Sequence, residues 1–232
     1  MKYSKGPTFN TEQVLQLSII VDSQQGFIKS GYGYYDYEND VNVTDNKTAV
    51  MQYLSGDISL PEFTDEVNTE ASNIRNSFRD ELIAKKLMGK LNSFEDSVLR
   101  VISNETTDVF GVSILASLPN SYRVQKKRQG LDDWFDDMRN KSEFVGKIGE
   151  RMRINVLVKD VKFIAKYGIH LVTCITQEEN IVKFFFNKEP DIAGILESRQ
   201  ITLTGKVKQH DVSKFSNCKE TVFNYVKIEE KC

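Results

Sequence analysis

At 232 residues, 40% hydrophobic and 28% charged, the chain has room for one large domain or two small ones, with enough apolar side chains for a core in each. No apolar run approaches the roughly 20 residues that span a bilayer, and Met1–Pro7 is followed by no apolar leader, so neither a membrane protein nor a secreted one is expected. Cys174, Cys218 and Cys232 are odd in number and widely spaced, and with His170 and His210 they form no metal-ligand spacing. A disulfide framework and a structural zinc site are therefore not expected, and a reducing cytoplasm is the expected compartment. The net charge of −2 is unevenly divided: residues 1–140 hold 15 Lys+Arg against 21 Asp+Glu, and residues 141–232 hold 16 against 12. A basic C-terminal part beside an acidic N-terminal one suits a polyanion-binding module joined to something else.

Along the chain, Asn10 can cap a helix over residues 11–22, with Gln13 three positions on and Val14, Leu17 and Val21 on one face. The tyrosine- and glycine-rich stretch Gly31–Tyr37 reads as a loop or short hairpin. Its tyrosines (Tyr32, Tyr34, Tyr35, Tyr37) either stack bases, mediate self-association or pack on a core, and the packed loop is favoured. Asp45 caps a short helix to Leu54, and Ser55-Gly56-Asp57 turns the chain. Pro61 falls in the first turn of the next segment, Glu62–Met88, one long helix or two with Ile74, Phe78 and Leu82 on one side, Leu87 a candidate fourth, and Gly89 as its stop. Ser93-Phe94-Glu95-Asp96 approximates a capping box for a helix carrying Val98, Leu99 and Ile102. Asp108–Leu118 is apolar and fits a strand or a helix, and Pro119-Asn120-Ser121 breaks it. Residues 122–145 read as the joint between two domains. They hold a basic knot (Arg123, Lys126, Lys127, Arg128), Gly130, and the acidic-aromatic run Leu131–Met138.

The last third reads as five strands. The first is Arg151–Val161, extending to Ile164, with Met152, Ile154, Val156 and Val158 on its apolar face. Tyr167-Gly168 turns into the second, Ile169–Thr176, and Gln177–Asn180 makes a hairpin loop into the third, Ile181–Phe186. Pro190–Ser198 gives about two helical turns. In the fourth strand, Ile201–Lys208, Ile201, Leu203 and Val207 point inward, and Gly205 suits a bend where a closed barrel curls. A polar loop, His210–Lys219, leads to the fifth, Glu220–Ile228. Three strands, a short helix and two strands is the order of a small Greek-key barrel, the OB-fold. The fold class expected is α+β: a mainly helical domain over 1–140, then a five-stranded OB-fold barrel over 141–232.

The stretch Ile201-Thr202-Leu203-Thr204-Gly205-Lys206-Val207-Lys208-Gln209-His210, followed by Lys219-Glu220-Thr221-Val222-Phe223-Asn224-Tyr225-Val226-Lys227-Ile228, resembles the end of an OB-like domain in bacteriophage replication and single-strand-binding proteins. Ser77-Phe78-x-x-x-Leu82, with Gly89-Lys90-Leu91 after it, resembles a segment upstream in such proteins. The likeness covers about 85 residues and is structural rather than catalytic. The third strand departs from it, with Phe184-Phe185-Phe186 where a Trp-containing run is expected. The resemblance implies a single-stranded DNA-binding accessory factor of replication or transcription, in the host-cell cytoplasm if the protein is viral.

Single-strand binding needs a cationic groove and flat aromatic faces. In an OB-fold the groove runs over the second and third strands, between the loops joining strands one–two and four–five. On that template Lys183 and Phe185 lie on the platform and Arg151 and Arg153 come from the first strand. Lys206, Lys208, His210, Lys214, Phe215 and Lys219 belong to the fourth strand and its loop. The alternative for each is a solvated strand face or, for Phe185, burial. Asp133, Trp134, Phe135 and Asp136 either recruit a partner protein or form an amphipathic helix with Trp134 and Met138 buried; the helix is favoured. The basic knot either touches phosphates or is a solvated linker. No phosphate loop, nucleophile elbow, HExxH or KxDG motif is present, and His170 reads as a barrel residue rather than a base. The expectation is thus a non-catalytic protein without metal or cofactor. Its partners would be single-stranded DNA or RNA, replication or transcription proteins, and a second copy of itself. The competing expectation is an adaptor that docks a polymerase or host factor through the barrel and the acidic N-terminal domain.

Overall fold

Asn10 starts the first helix: its Oδ1 accepts from Gln13 N at 2.9 Å, and α1 runs over Thr11–Gln25, past the expected end at residue 22. The computed structural model describes residues 6–187 and 200–229. Short strands β1 (Phe9–Asn10) and β4 (Thr106–Thr107) pair antiparallel, as do β2 (Tyr34–Asp36) and β3 (Val41–Val43). The other helices are α2 (Asn46–Ser55), α3 (Asp65–Leu87), α4 (Ser93–Ser103), α5 (Val109–Leu115) and α6 (Leu118–Met138). The chain divides into two units, Met1–Lys126 and Lys127–Cys232.

In the first unit α1 packs against α2, α3 and α5, so Leu15 and Ile19 are buried together with Val14, Leu17 and Val21. Asp22, buried at the end of α1, is paired by Arg123, and Arg75 bonds both Ile102 O at 2.7 Å and Glu12 at 3.3 Å. Several expectations change. Pro61 lies outside α3, whose N-cap is Thr64, and Leu87 at the helix end is exposed rather than on its buried side. The capping box of α4 is built from Asn92 and Glu95, one residue earlier than Ser93. Within Asp108–Leu118 the chain forms helix α5, with Asp108 as its cap, and then the start of α6. Pro119 does not break the chain but sits in the first turn of α6, where its missing N–H costs no hydrogen bond. The joint over 122–145 is helical to Met138. The tyrosine hairpin is not packed on a core: Tyr32, Tyr34, Tyr35 and Tyr37 are all exposed.

Asp45 joins this hairpin to α2. Its carboxylate accepts from Thr48 N (3.1 Å), Thr48 Oγ1 (3.0 Å) and Gly31 N (3.3 Å). Burial alone would push the carboxyl up, but hydrogen bonds from Thr48, Gly31 and Lys47 outweigh it and hold the group below its ordinary 3.8. A carboxyl depressed on folding adds stability above its unfolded value, and that stability is lost as pH falls through the folded one. Asp45→Ala is therefore expected to cost about 1–2 kcal/mol at neutral pH. In thermal melts the gap from wild type should narrow as the pH drops below 3.8; a gap constant with pH would show that the carboxylate does not matter.

The second unit holds a closed barrel of β5 (Arg151–Ile164), β6 (Ile169–Thr176), β7 (Ile181–Phe186), β8 (Gln200–Val212) and β9 (Lys219–Glu229), in the order β5-β6-β7-β9-β8. All neighbours are antiparallel except β7 and β9. β8 takes up His210–Val212, so the expected loop contracts to residues 213–218. The helix expected over Pro190–Ser198 lies outside the described residues. Alternation fills the interior with Val156, Val172, Cys174, Val182, Phe184, Leu203, Val207 and Phe223. Burial pushes the Cys174 thiol well above its usual range, which leaves it unreactive. A strap seals the parallel seam. Ser142 Oγ donates to Lys219 O (2.7 Å) and accepts from Ile181 N (2.9 Å), and Val145 N donates to Thr221 Oγ1 (2.8 Å). Among the described residues, no helix is long and apolar enough to cross a membrane.

Candidate functional site

The end of α6 lies on the outer face of β6 and β7. Met138 joins Ile175, Ile181 and Cys218 in a buried cluster, and Trp134 and Phe135 pack against it. Cys218 Sγ donates to Phe135 O at 3.2 Å. Lys159 stands 5.7 Å over the Trp134 ring, and Lys127 pairs with Asp160 at 3.0 Å. Lys183 points into this interface, where it pairs with buried Glu220 at 2.7 Å and lies 5.3 Å over the Phe135 ring. The groove expected over these strands is therefore covered along its lower half. Further along these strands Phe185, opposite Leu171, is exposed, whereas Phe163, in register with His170 and Phe186, lies on the opposite face of the sheet.

The predicted site residues separate into distinct places. His210 stacks on Phe144, with ring centroids 4.6 Å apart and planes 4° apart, and its Nε2 lies 3.3 Å from Val145 O. Lys219 is tied to Glu143 at 2.6 Å. Both are held to the strap. Lys214 and Phe215 stand out on the β8–β9 loop, Phe215 fully exposed. That loop and α6 border a cleft of about 370 Å³ lined by Asp132, Phe135, Asp136, Lys183, Ser213, Phe215 and Ser216. Of the proposed partner-binding residues, Asp133 and Asp136 are exposed and Trp134 and Phe135 are half-buried, as an amphipathic helix requires. The basic knot is largely paired: Arg123 with Asp22, Lys127 with Asp160, Arg128 with Asp132 at 3.9 Å, and Lys126 over the Tyr122 ring.

Arg151, Arg153 and Lys206 do come together, on the outer face of β5, β8 and β9, whereas Lys208 is exposed at a register shift of β8 and has no registered partner there. The register places Arg151 beside Lys206 and Arg153 beside Thr204; Thr204 in turn is beside Lys227. Glu229 accepts from Arg153 and, at 3.1 Å, from Thr204 Oγ1, and these bonds lower its carboxyl. Among the described residues, Arg151, Lys206, Lys208 and Lys227 form no ion pair with it or with any other acid. Lys227 and its neighbour Tyr225 were missed in the sequence. Counting by twos from inward-facing Phe223 turns both inward, but a register shift opposite Gly205 inserts one residue and sends Val226 in instead. Gly205 permits this: a Cβ there would lie 3.0 Å from the Phe223 ring.

Among the described residues, no group of three or more His, Cys, Asp or Glu could hold a metal ion. Comparison of the chain with protein-family models, with curated proteins and with solved structures gives no match.

Proposed function

We propose that the barrel is an OB-fold and that the protein binds single-stranded DNA without catalysing a reaction, as a replication or transcription accessory factor of bacteriophage type. The strand order β5-β6-β7-β9-β8 with its parallel β7·β9 pair supports the fold. The observation that carries the function is the cationic face: Arg151, Arg153, Lys206 and Lys227 on three adjacent strands, with Arg153 paired to Glu229. Such a face attracts an extended polyanion. It lies away from β6 and β7, where OB-folds usually hold a strand, because α6 occupies that ground.

The covered β6–β7 face favours a second reading, a protein-docking adaptor. The cleft between α6 and Phe215, edged by Asp132 and Asp136, suits a basic peptide carrying an apolar side chain. One titration separates the two. Fluorescence anisotropy with a labelled oligo(dT), against duplex of equal length, is expected to favour the single strand, with log K falling against log salt at a slope of about −3 for four to five neutralised phosphates. A flat salt response would remove the electrostatic mechanism. Absence of oligonucleotide binding at low salt would leave the adaptor.

A further inference from the structure

Tyr225 combines three features that a solvated strand residue has no reason to share. It is 75% exposed in the middle of β9. Its φ is +50°, a conformation that bulky L-residues avoid, and the other non-glycine residues with positive φ among those described, Asp40, Glu179 and Asn217, all sit in turns or loops. It also occupies the bulge between the register rows Lys206–Asn224 and Thr204–Lys227, so its exposed side chain leaves the strand at a point flanked by Lys206 and Lys227. Its neighbour Asn224 buries Oδ1 without a hydrogen-bond partner, a second local cost at the same place. Costs concentrated at an exposed aromatic mark a residue aimed at a ligand rather than at the core.

We propose that Tyr225 is the stacking platform for an unpaired base, with Lys206 and Lys227 taking the phosphates on either side of that nucleotide. The proposal rests on single-strand binding at this face and adds where a base is held. The occupant follows from charge and shape together: the cations select a polyanion, and a ring standing out from a strand face meets a base only where bases are unstacked from a partner strand.

The test is a cycle between Tyr225→Gly and an abasic oligonucleotide, read by anisotropy, with Tyr225→Phe and Lys206→Glu alongside. Glycine suits a positive φ, so Tyr225→Gly is expected to hold or raise Tm, by up to about 2 °C. It should weaken oligo(dT) binding about 5- to 100-fold, whereas Tyr225→Phe binds as wild type does. The abasic strand should bind wild type more weakly and Tyr225→Gly no more weakly than oligo(dT) does, because the stacking partner is already gone. If Tyr225→Gly binds oligo(dT) as tightly as wild type while Lys206→Glu weakens it, stacking at Tyr225 is refuted and single-strand binding stands. If wild type itself binds no oligonucleotide, both fall.

Discussion

Reversing Lys206 and Lys227 together to Glu is expected to weaken single-stranded DNA binding by at least about 100-fold at moderate salt and to flatten the salt dependence by about 0.7 in log–log slope for each phosphate no longer neutralised. The effect is large because the two lysines flank one point on the face and each reversal replaces attraction with repulsion. Both side chains project outward, so far-UV circular dichroism and Tm should hardly change. The control is Lys214→Glu, on the β8–β9 loop beside Phe215. Sequence alone groups Lys214 with Lys206 and Lys208; the fold separates it, and its reversal should change affinity by no more than about twofold. Equal losses from Lys214 and Lys206 would return the interface to the loop and the β6–β7 side.

The largest stability effect is expected at Lys183. The Glu220 carboxylate is buried and the Lys183 side chain mostly covered, and Ser216 Oγ adds a 3.3 Å bond to the same carboxylate oxygen. Lys183→Met would strand that carboxylate beneath α6 at a cost of about 3–5 kcal/mol. Replacing both, Lys183→Met with Glu220→Leu, should recover most of the loss, since an apolar pair needs no desolvation. Trp134 is the only tryptophan and packs on the same interface, so urea unfolding followed by its fluorescence reads this unit directly. Equal stability of the single variant and wild type would mean that water reaches the pair.

That pair also explains why the barrel's expected binding surface is occupied. The acidic-aromatic run Leu131–Met138 sets Trp134 and Phe135 against Lys159 and Lys183, with Asp132 and Asp136 at the edge of the cleft. The lysine predicted to greet a polynucleotide thus serves the helix that covers it. Phe185, two residues on, escapes that cover, and its ring remains half exposed.

Local chemistry was legible from the chain alone. Asn10 and Asp45 act as caps because their side chains reach the amides three residues on; Asp108 does the same, but its segment read equally as strand or helix. β6 and β7 have their predicted limits because alternation and turn residues are properties of neighbouring positions. What needed the tertiary structure was everything set by pairing between distant segments. Only the β8–β9 register reveals the bulge that turns Tyr225 and Lys227 outward, and only closure of the barrel brings Arg151 beside Lys206. Whether α6 covers β6 and β7 depends on the apolar area that Met138 shares with Ile175 and Ile181, both far along the chain from it, and no local pattern encodes that pairing.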